Sequence, residues 1–238
     1  MTSQDSLLQE QIAYYRARAG EYDEWFLRQG RYDRGEEANA RWFAEVRTVA
    51  TVLDDFAPTG DVLELACGTG LWTQRLARYA TTLTALDSSP ETLEVNKRRL
   101  AGATHIRYEV ADLFAWRPEK RYDVVFFSFW LSHVPPDRFE PFFQSVAASL
   151  APGGRIFFID SLYTQTSTAR DHVLTEPDAT TMTRRLNDGR EFQVVKVFYE
   201  PAELESRLRT LGWNTAVQTT GEFFLYGSGE HRSGERAP

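Results

Sequence analysis

The residues of this 238-residue chain with the clearest chemical potential stand at the ends of short apolar runs. Val62-Leu63-Glu64-Leu65-Ala66-Cys67-Gly68-Thr69-Gly70 is an apolar run with an acid at its centre and a small-residue loop at its end. Gly68 and Gly70 allow the backbone to approach a ligand closely. The following stretch, Leu71 to Arg78, is expected to be a helix whose first free N–H groups attract an anionic ligand group. Asp87 closes a second apolar run, Thr82 to Leu86, where a carboxylate can accept both hydroxyls of a ribose. Glu64 in a buried strand is costly unless hydrogen-bonded, which marks it as an organiser of the same site. Together these features predict a nucleoside-binding α/β domain.

The elements that must position these groups follow from hydrophobic period. Residues 1–57 read as a helical segment, with Arg41 to Phe56 amphipathic and a polar loop over Arg28 to Glu37. From Asp61 onward strands alternate with helices. The strands are Asp61–Leu65, Thr82–Leu86, Ile106–Val110, Asp123–Phe127 and Arg155–Asp160, and the helices are Leu71–Arg78, Ser89–Leu100 and Asp137–Leu150. Ser89-Pro90 reads as an N-cap with Pro at the first helical position. This alternation implies a doubly wound, mostly parallel sheet, with ligands at the carboxyl ends of the strands, where Asp87, Asp112 and Ser128 fall. Residues 161–179 read as a polar insertion. A hairpin over 181–199, a helix over Pro201–Leu211 and a last strand, Glu222–Tyr226, follow. The core domain is expected over 58–227 and a flexible tail over 228–238.

Composition narrows the function. The formal net charge of −7 argues against a nucleic-acid partner. A single cysteine, Cys67, excludes a disulfide framework and suits a reducing cytoplasm; it reads as a packing residue. No apolar stretch reaches the length of a membrane span. No metal-ligand cluster is evident. The expected partner is a small molecule, and the expected state a monomer or homodimer.

The hairpin and the segment after the fourth strand carry further candidates. With Asn187-Asp188-Gly189 as a three-residue loop, Leu186 faces Arg190 and Arg184 faces Phe192, so Arg184 and Lys196 share an otherwise apolar face. Two cations there could hold an anion. A two-residue loop would separate them, and a basic edge strand that discourages aggregation is the other reading. His133 in Trp130-Leu131-Ser132-His133-Val134 is either a general base or a structural group. Trp72, Phe129 and Trp130 either line an apolar pocket or fill the core.

The order E-x-A-C-G-T-G, with Thr73 where a dinucleotide fingerprint would place its third Gly, resembles the first motif of class I S-adenosylmethionine (SAM) methyltransferases. Asp87 matches the second motif, and Ala111-Asp112-Leu113 the third, which frames the adenine. The segment Tyr14-Tyr-Arg-Ala-Arg-Ala19 with Glu21-Tyr-Asp23 is similar to an N-terminal lid that folds over the cofactor in this family. The resemblance implies a Rossmann-like fold with a helical lid and a C-terminal antiparallel hairpin, SAM as cofactor and S-adenosylhomocysteine (SAH) as product. It implies a cofactor site of Tyr15, Arg18, Tyr22, Glu64, Ala66, Gly68, Gly70, Trp72, Thr73, Asp87, Ser88, Asp112, Leu113, Ser128 and Phe129, with Arg18 on the methionine carboxylate. His133-Val-Pro135, Asp188-Gly-Arg190, Val195-Lys-Val-Phe198 and Pro201-Ala-Glu-Leu204 resemble the phosphonate O-methyltransferases within the family, which implies that Tyr32, Arg184 and Lys196 grip an anionic acceptor. The alternatives are a neutral phenol, amine or carbon acceptor with His133 as base, and a NAD-type oxidoreductase.

Overall fold

The computed structural model describes residues 3–232. Its N-terminal part is α1 (Ser3–Arg18), the short α2 (Tyr22–Phe26), a 3-10 turn at Gly30–Tyr32 and α3 (Glu36–Phe56). The strands and helices that follow are β1 (Gly60–Leu65), α4 (Thr73–Leu76), β2 (Ala80–Asp87), α5 (Pro90–Arg99), β3 (Ile106–Val110), β4 (Tyr122–Ser128), α6 (Phe139–Ser149) and β5 (Leu150–Ser161). The chain then forms β6 (Thr181–Arg185), β7 (Glu191–Val195), α7 (Pro201–Thr210), β8 (Trp213–Thr219) and β9 (Phe224–His231).

Seven strands form one sheet in the order β3-β2-β1-β4-β5-β9-β8, and β6 and β7 form a separate ribbon. The five strands from β3 to β5 run parallel, whereas β9 and β8 are antiparallel additions. From β1 the chain proceeds outward on one side to β3 and returns as β4 on the other. The ligand crevice of such a sheet opens at this reversal, beyond the carboxyl ends of β1 and β4.

The sheet is buried on both faces, which is why its central strands are apolar throughout. One face packs Leu63, Leu65, Val125, Phe127 and Phe158 against Phe139, Phe143 and Val146 of α6 and Leu204 and Leu208 of α7. The other packs Val62, Val124, Phe126 and Phe157 against Trp42, Val49 and Leu53 of α3. The expected cap of α5 is present: Thr92 N–H donates to Ser89 Oγ at 3.1 Å, and Pro90 opens the helix.

Three local expectations are corrected. The helix after the glycine loop is a single turn, Thr73–Leu76, because the chain must already enter β2 at Ala80. The edge strand β8 was not anticipated: Asn214, Gln218 and Thr219 make it polar, as its exposed edge position allows. The tail expected from 228 is strand as far as His231. Gly229, within the expected tail, and Gly227, just before it, are packing glycines. A Cβ at Gly227 would lie 2.3 Å from the Phe158 ring, and one at Gly229 would lie 2.2 Å from the Asn214 carbonyl oxygen. Residues 233–238 of that expected tail lie outside the described residues.

Candidate active site

Two chambers meet at the carboxyl ends of β1 and β4. The first is a cleft of about 730 Å³, lined by Tyr15 and Tyr22 from the lid, Ala66, Gly68, Asp87, Ser88, Asp112, Leu113, Ser128, Phe129, Trp130 and His133. Ala66 and Phe129, the residues directly after β1 and β4, have φ of +54° and +53°. Non-glycine residues rarely hold such a backbone, and strain of this kind gathers at ligand sites. Asp87 ends β2 with its carboxylate buried. Its Oδ2 accepts the Gly68 N–H at 2.9 Å and its Oδ1 the Ser89 N–H at 2.9 Å. Burial raises its pKa despite these bonds. Asp112 Oδ1 accepts the Phe114 N–H at 3.0 Å in a turn at the cleft wall.

Four residues expected at the cofactor lie behind the cleft rather than on its wall. Glu64 is 1% exposed, and burial pushes its carboxyl up to about 8. Its Oε2 has no partner among the described residues. Thr73 is fully buried and accepts from Asn96 Nδ2 at 2.9 Å. Trp72 is packed into the α3-side core. Gly70, with φ of +91°, passes so close to Asn96 that a Cβ there would lie 2.5 Å from its Oδ1. These residues shape the glycine loop from beneath.

The second chamber, about 550 Å³, shares Tyr15, Tyr22, Phe129 and His133 with the first and adds Tyr14, Arg18, Tyr32, Ser161, Thr168, Arg184, Lys196 and Phe198. The hairpin register places Arg184 opposite Phe192 and Met182 opposite Val194. The Leu186 N–H donates to the Arg190 carbonyl at 2.9 Å, closing the three-residue loop. Arg184 and Lys196 therefore line the same chamber. Arg18, expected on the cofactor's methionine carboxylate, lines this chamber and not the first cleft. Its guanidinium stands 4.9 Å from the centre of the Tyr22 ring and donates to Tyr32 Oη at 3.3 Å. The end of α1 packs against the hairpin, and that contact directs Arg18 toward the second chamber.

The charge in this chamber is unbalanced. Among the described residues, Arg18 and Arg184 have no carboxylate within ion-pair distance, and Lys196 faces Asp160 at 3.7 Å. Lys196 Nζ donates to Ser132 Oγ at 2.8 Å, and burial lowers its pKa to about 8. Arg184 Nη1 lies 3.2 Å from His172 Nδ1, while His172 Nε2 receives the Arg185 N–H at 3.1 Å. A neutral imidazole has a single lone pair, so it cannot satisfy both donors.

His133 is held at both nitrogens. Nδ1 is 2.7 Å from the Val195 carbonyl, which can only accept, so Nδ1 carries the proton. Nε2 is 2.7 Å from Tyr15 Oη and accepts its proton. Burial and the cations Lys196, Arg184 and Arg18 depress the His133 pKa well below its usual value, which keeps the ring neutral. Sequence reading missed the partners of this network. Asp160 Oδ2 accepts the Ser132 N–H at 2.8 Å, and buried Gln11 bridges the His133 carbonyl and the Val195 N–H. Among the described residues, no group of three His, Cys, Asp or Glu gathers to hold a metal ion.

The fold and these chambers place the chain beside solved enzymes. It superposes on the structure titled "DhpI-SAH complex structure" with a TM-score of 0.78, at 37% identity over 96% of this chain and 98% of DhpI. A second DhpI structure, titled "DhpI-SAM-HEP complex", matches at TM-score 0.78 and 38% identity, over 94% and 97% of the two chains. The chain is a SAM-dependent methyltransferase. A family model described as "Methyltransferase domain" matches residues 62–154 of this methyltransferase, from β1 into the turn within β5. The ubiquinone biosynthesis O-methyltransferase of Xanthomonas euvesicatoria is 32% identical over 63% of this chain and 61% of its own length. Nodulation protein S of Rhizobium tropici is 28% identical over 42% and 43%. The matches thus span about two fifths to three fifths of these curated relatives. The family membership removes the NAD-type alternative and makes SAM the cofactor. The residues present suit it: a buried carboxylate for a diol at Asp87, backbone that can be closely approached at Gly68, and an apolar wall of Leu113, Phe129 and Trp130.

Proposed function

We propose that this methyltransferase O-methylates a small anionic metabolite, a phosphonate or a carboxylate. The observation that carries this reading is the second chamber, where Arg18, Arg184 and Lys196 meet a single buried carboxylate. Uncompensated buried charge is expensive, and an anionic acceptor is the partner that would offset it. The likeness to DhpI, whose structure holds SAM together with a ligand titled HEP, supports the same class of acceptor.

SAM, when bound, supplies a methyl group activated by its positively charged sulfur. The protein's own task is then to hold the reactants. Asp87 holds the ribose hydroxyls, and Asp112 and Leu113 frame the adenine. Arg184 holds two oxyanion oxygens at once, Lys196 acts as a point charge beside it, and Tyr32 contributes a hydroxyl. An ionised oxygen needs no base, so the rate depends on alignment and on the exclusion of water by the lid. His133 suits a positioning role: its lone pair is occupied by Tyr15, and its depressed pKa makes it a weak base. Through Val195 it holds the end of β7, from which Lys196 projects.

The test is Arg184→Ala. The expected cost is ~2–4 kcal/mol in acceptor binding, mostly from an unpaired acceptor charge, with the KM for SAM unchanged. Arg184→Lys should recover part of it, since the planar fork is lost. Equal losses toward SAM and acceptor, or none, contradict the assignment.

A further inference from the structure

Asp23 touches neither chamber, yet three elements converge on it: α2, the glycine loop and the end of α5. Thr69 Oγ1 donates to Asp23 Oδ1 at 2.5 Å. Arg99 Nη2 donates to Asp23 Oδ2, and its Nη1 donates to the Thr69 carbonyl at 2.7 Å. Asp23, Thr69 and Arg99 thereby close a ring in which every pair is bonded. Thr69 is 1% exposed, and the Asp23 and Arg99 side chains are 25% and 24% exposed.

The neighbour of Asp23 is Tyr22, which lines both chambers; its ring lies 3.8 Å from where a Cβ of Gly68 would stand. The helix that carries Tyr22 has five residues, no side-chain cap and no buried residue. A helix this short does not persist on its own propensity. Its far end is tied by Trp25 Nε1, which donates to the Ser167 carbonyl at 2.8 Å. Its near end is held by the Asp23 ring on one side and, on the other, by Asn187, which donates to the carboxylates of Glu21 and Glu24, and by Arg18 against the Tyr22 ring.

We propose that Asp23 is a positioning residue: with Arg99 and Thr69 it fixes Tyr22 across the junction of the two chambers, so that cofactor affinity depends on a latch built outside the site. The inference rests on the first chamber being the SAM site. Arg99 serves because a guanidinium reaches two acceptors at fixed geometry, which an ammonium does not.

The experiment is calorimetric titration of SAH into the intact protein and its variants. Binding by the unaltered chain tests the cofactor site separately. Asp23→Ala and Arg99→Ala should each raise the SAH Kd about tenfold, and the double variant should be no worse than the poorer single one, because both break the same ring. Arg99→Lys should match Arg99→Ala within threefold. Amide exchange over residues 19–27 should speed up in Asp23→Ala even with SAH present. If Asp23→Ala does not fold, Thr69→Val, which removes one hydroxyl, should still raise the Kd about threefold. Unchanged Kd in the variants, losses that multiply in the double variant, or full rescue by Arg99→Lys would overturn the proposal.

Discussion

Lys196 is a buried cation on the wall of the second chamber, with its Nζ on Ser132 Oγ and Asp160 beyond. Its pKa is lowered to about 8 because burial disfavours the ammonium more than Asp160 favours it. A bound anion stabilises the charged form, so acceptor affinity should be full below pH 8 and weaken as pH rises through it. Acceptor Kd measured from pH 6.5 to 9.5 should show this limb. Lys196→Arg, which cannot lose its charge in that range, should abolish it, and a limb that persists in that variant would place the titration elsewhere. Asp87 offers a cofactor-side counterpart. Asp87→Ala should cost roughly 1.5–3 kcal/mol, at least about tenfold in SAH Kd; unchanged affinity would remove Asp87 from the ribose site. Asp87, Asp112, His133, Arg184 and Lys196 were all legible as candidates because motif position or strand alternation singles them out. The Asp160–Ser132–Lys196 network was not: Asp160 reads as the end of an apolar run, and its meaning arises only when β5, the turn after β4 and the hairpin meet.

At the scale of elements, α1 and the hairpin behave as one unit. Gln11 Nε2 donates to the His133 carbonyl at 3.2 Å, its Oε1 accepts the Val195 N–H at 3.0 Å, and Glu10 Oε1 accepts the Gln193 N–H at 2.7 Å. Gln11→Ala leaves a buried N–H and a buried carbonyl without a partner, at about 1–3 kcal/mol. Denaturant unfolding should register that loss, and a change under 0.5 kcal/mol, the range of ordinary surface substitutions, would show that other contacts hold the lid. The hairpin register was only half legible: Asn-Asp-Gly admits a three-residue loop with Gly189 at positive φ, as observed at +90°, but a two-residue loop fits the same residues, and only the pairing of β6 with β7 separates the two. The glycines of β9 misled for a physical reason. In sequence, a Gly-containing tail looks flexible, yet in the sheet the missing side chains of Gly227 and Gly229 make room for Phe158 and the β8 backbone. Period alone also misses β8, whose polar residues follow from its place at the sheet edge.

At the scale of the molecule, a chain of net charge −7 concentrates uncompensated positive charge in one small chamber beside the cofactor cleft. That contrast favours a small anion as the molecule that enters it. No described helix is long and apolar enough to cross a membrane. The most direct test of the central claim is methyl transfer from SAM to a matched panel of small phosphonates, carboxylates, phenols and amines, with product masses read by spectrometry. The account predicts a mono-methyl ester of an anionic acceptor, a rate collapse for that acceptor in Arg184→Ala, and a modest loss in His133→Gln. Turnover confined to phenols or amines, undisturbed by Arg184→Ala and lost about 10²–10⁴-fold in His133→Gln, would contradict it.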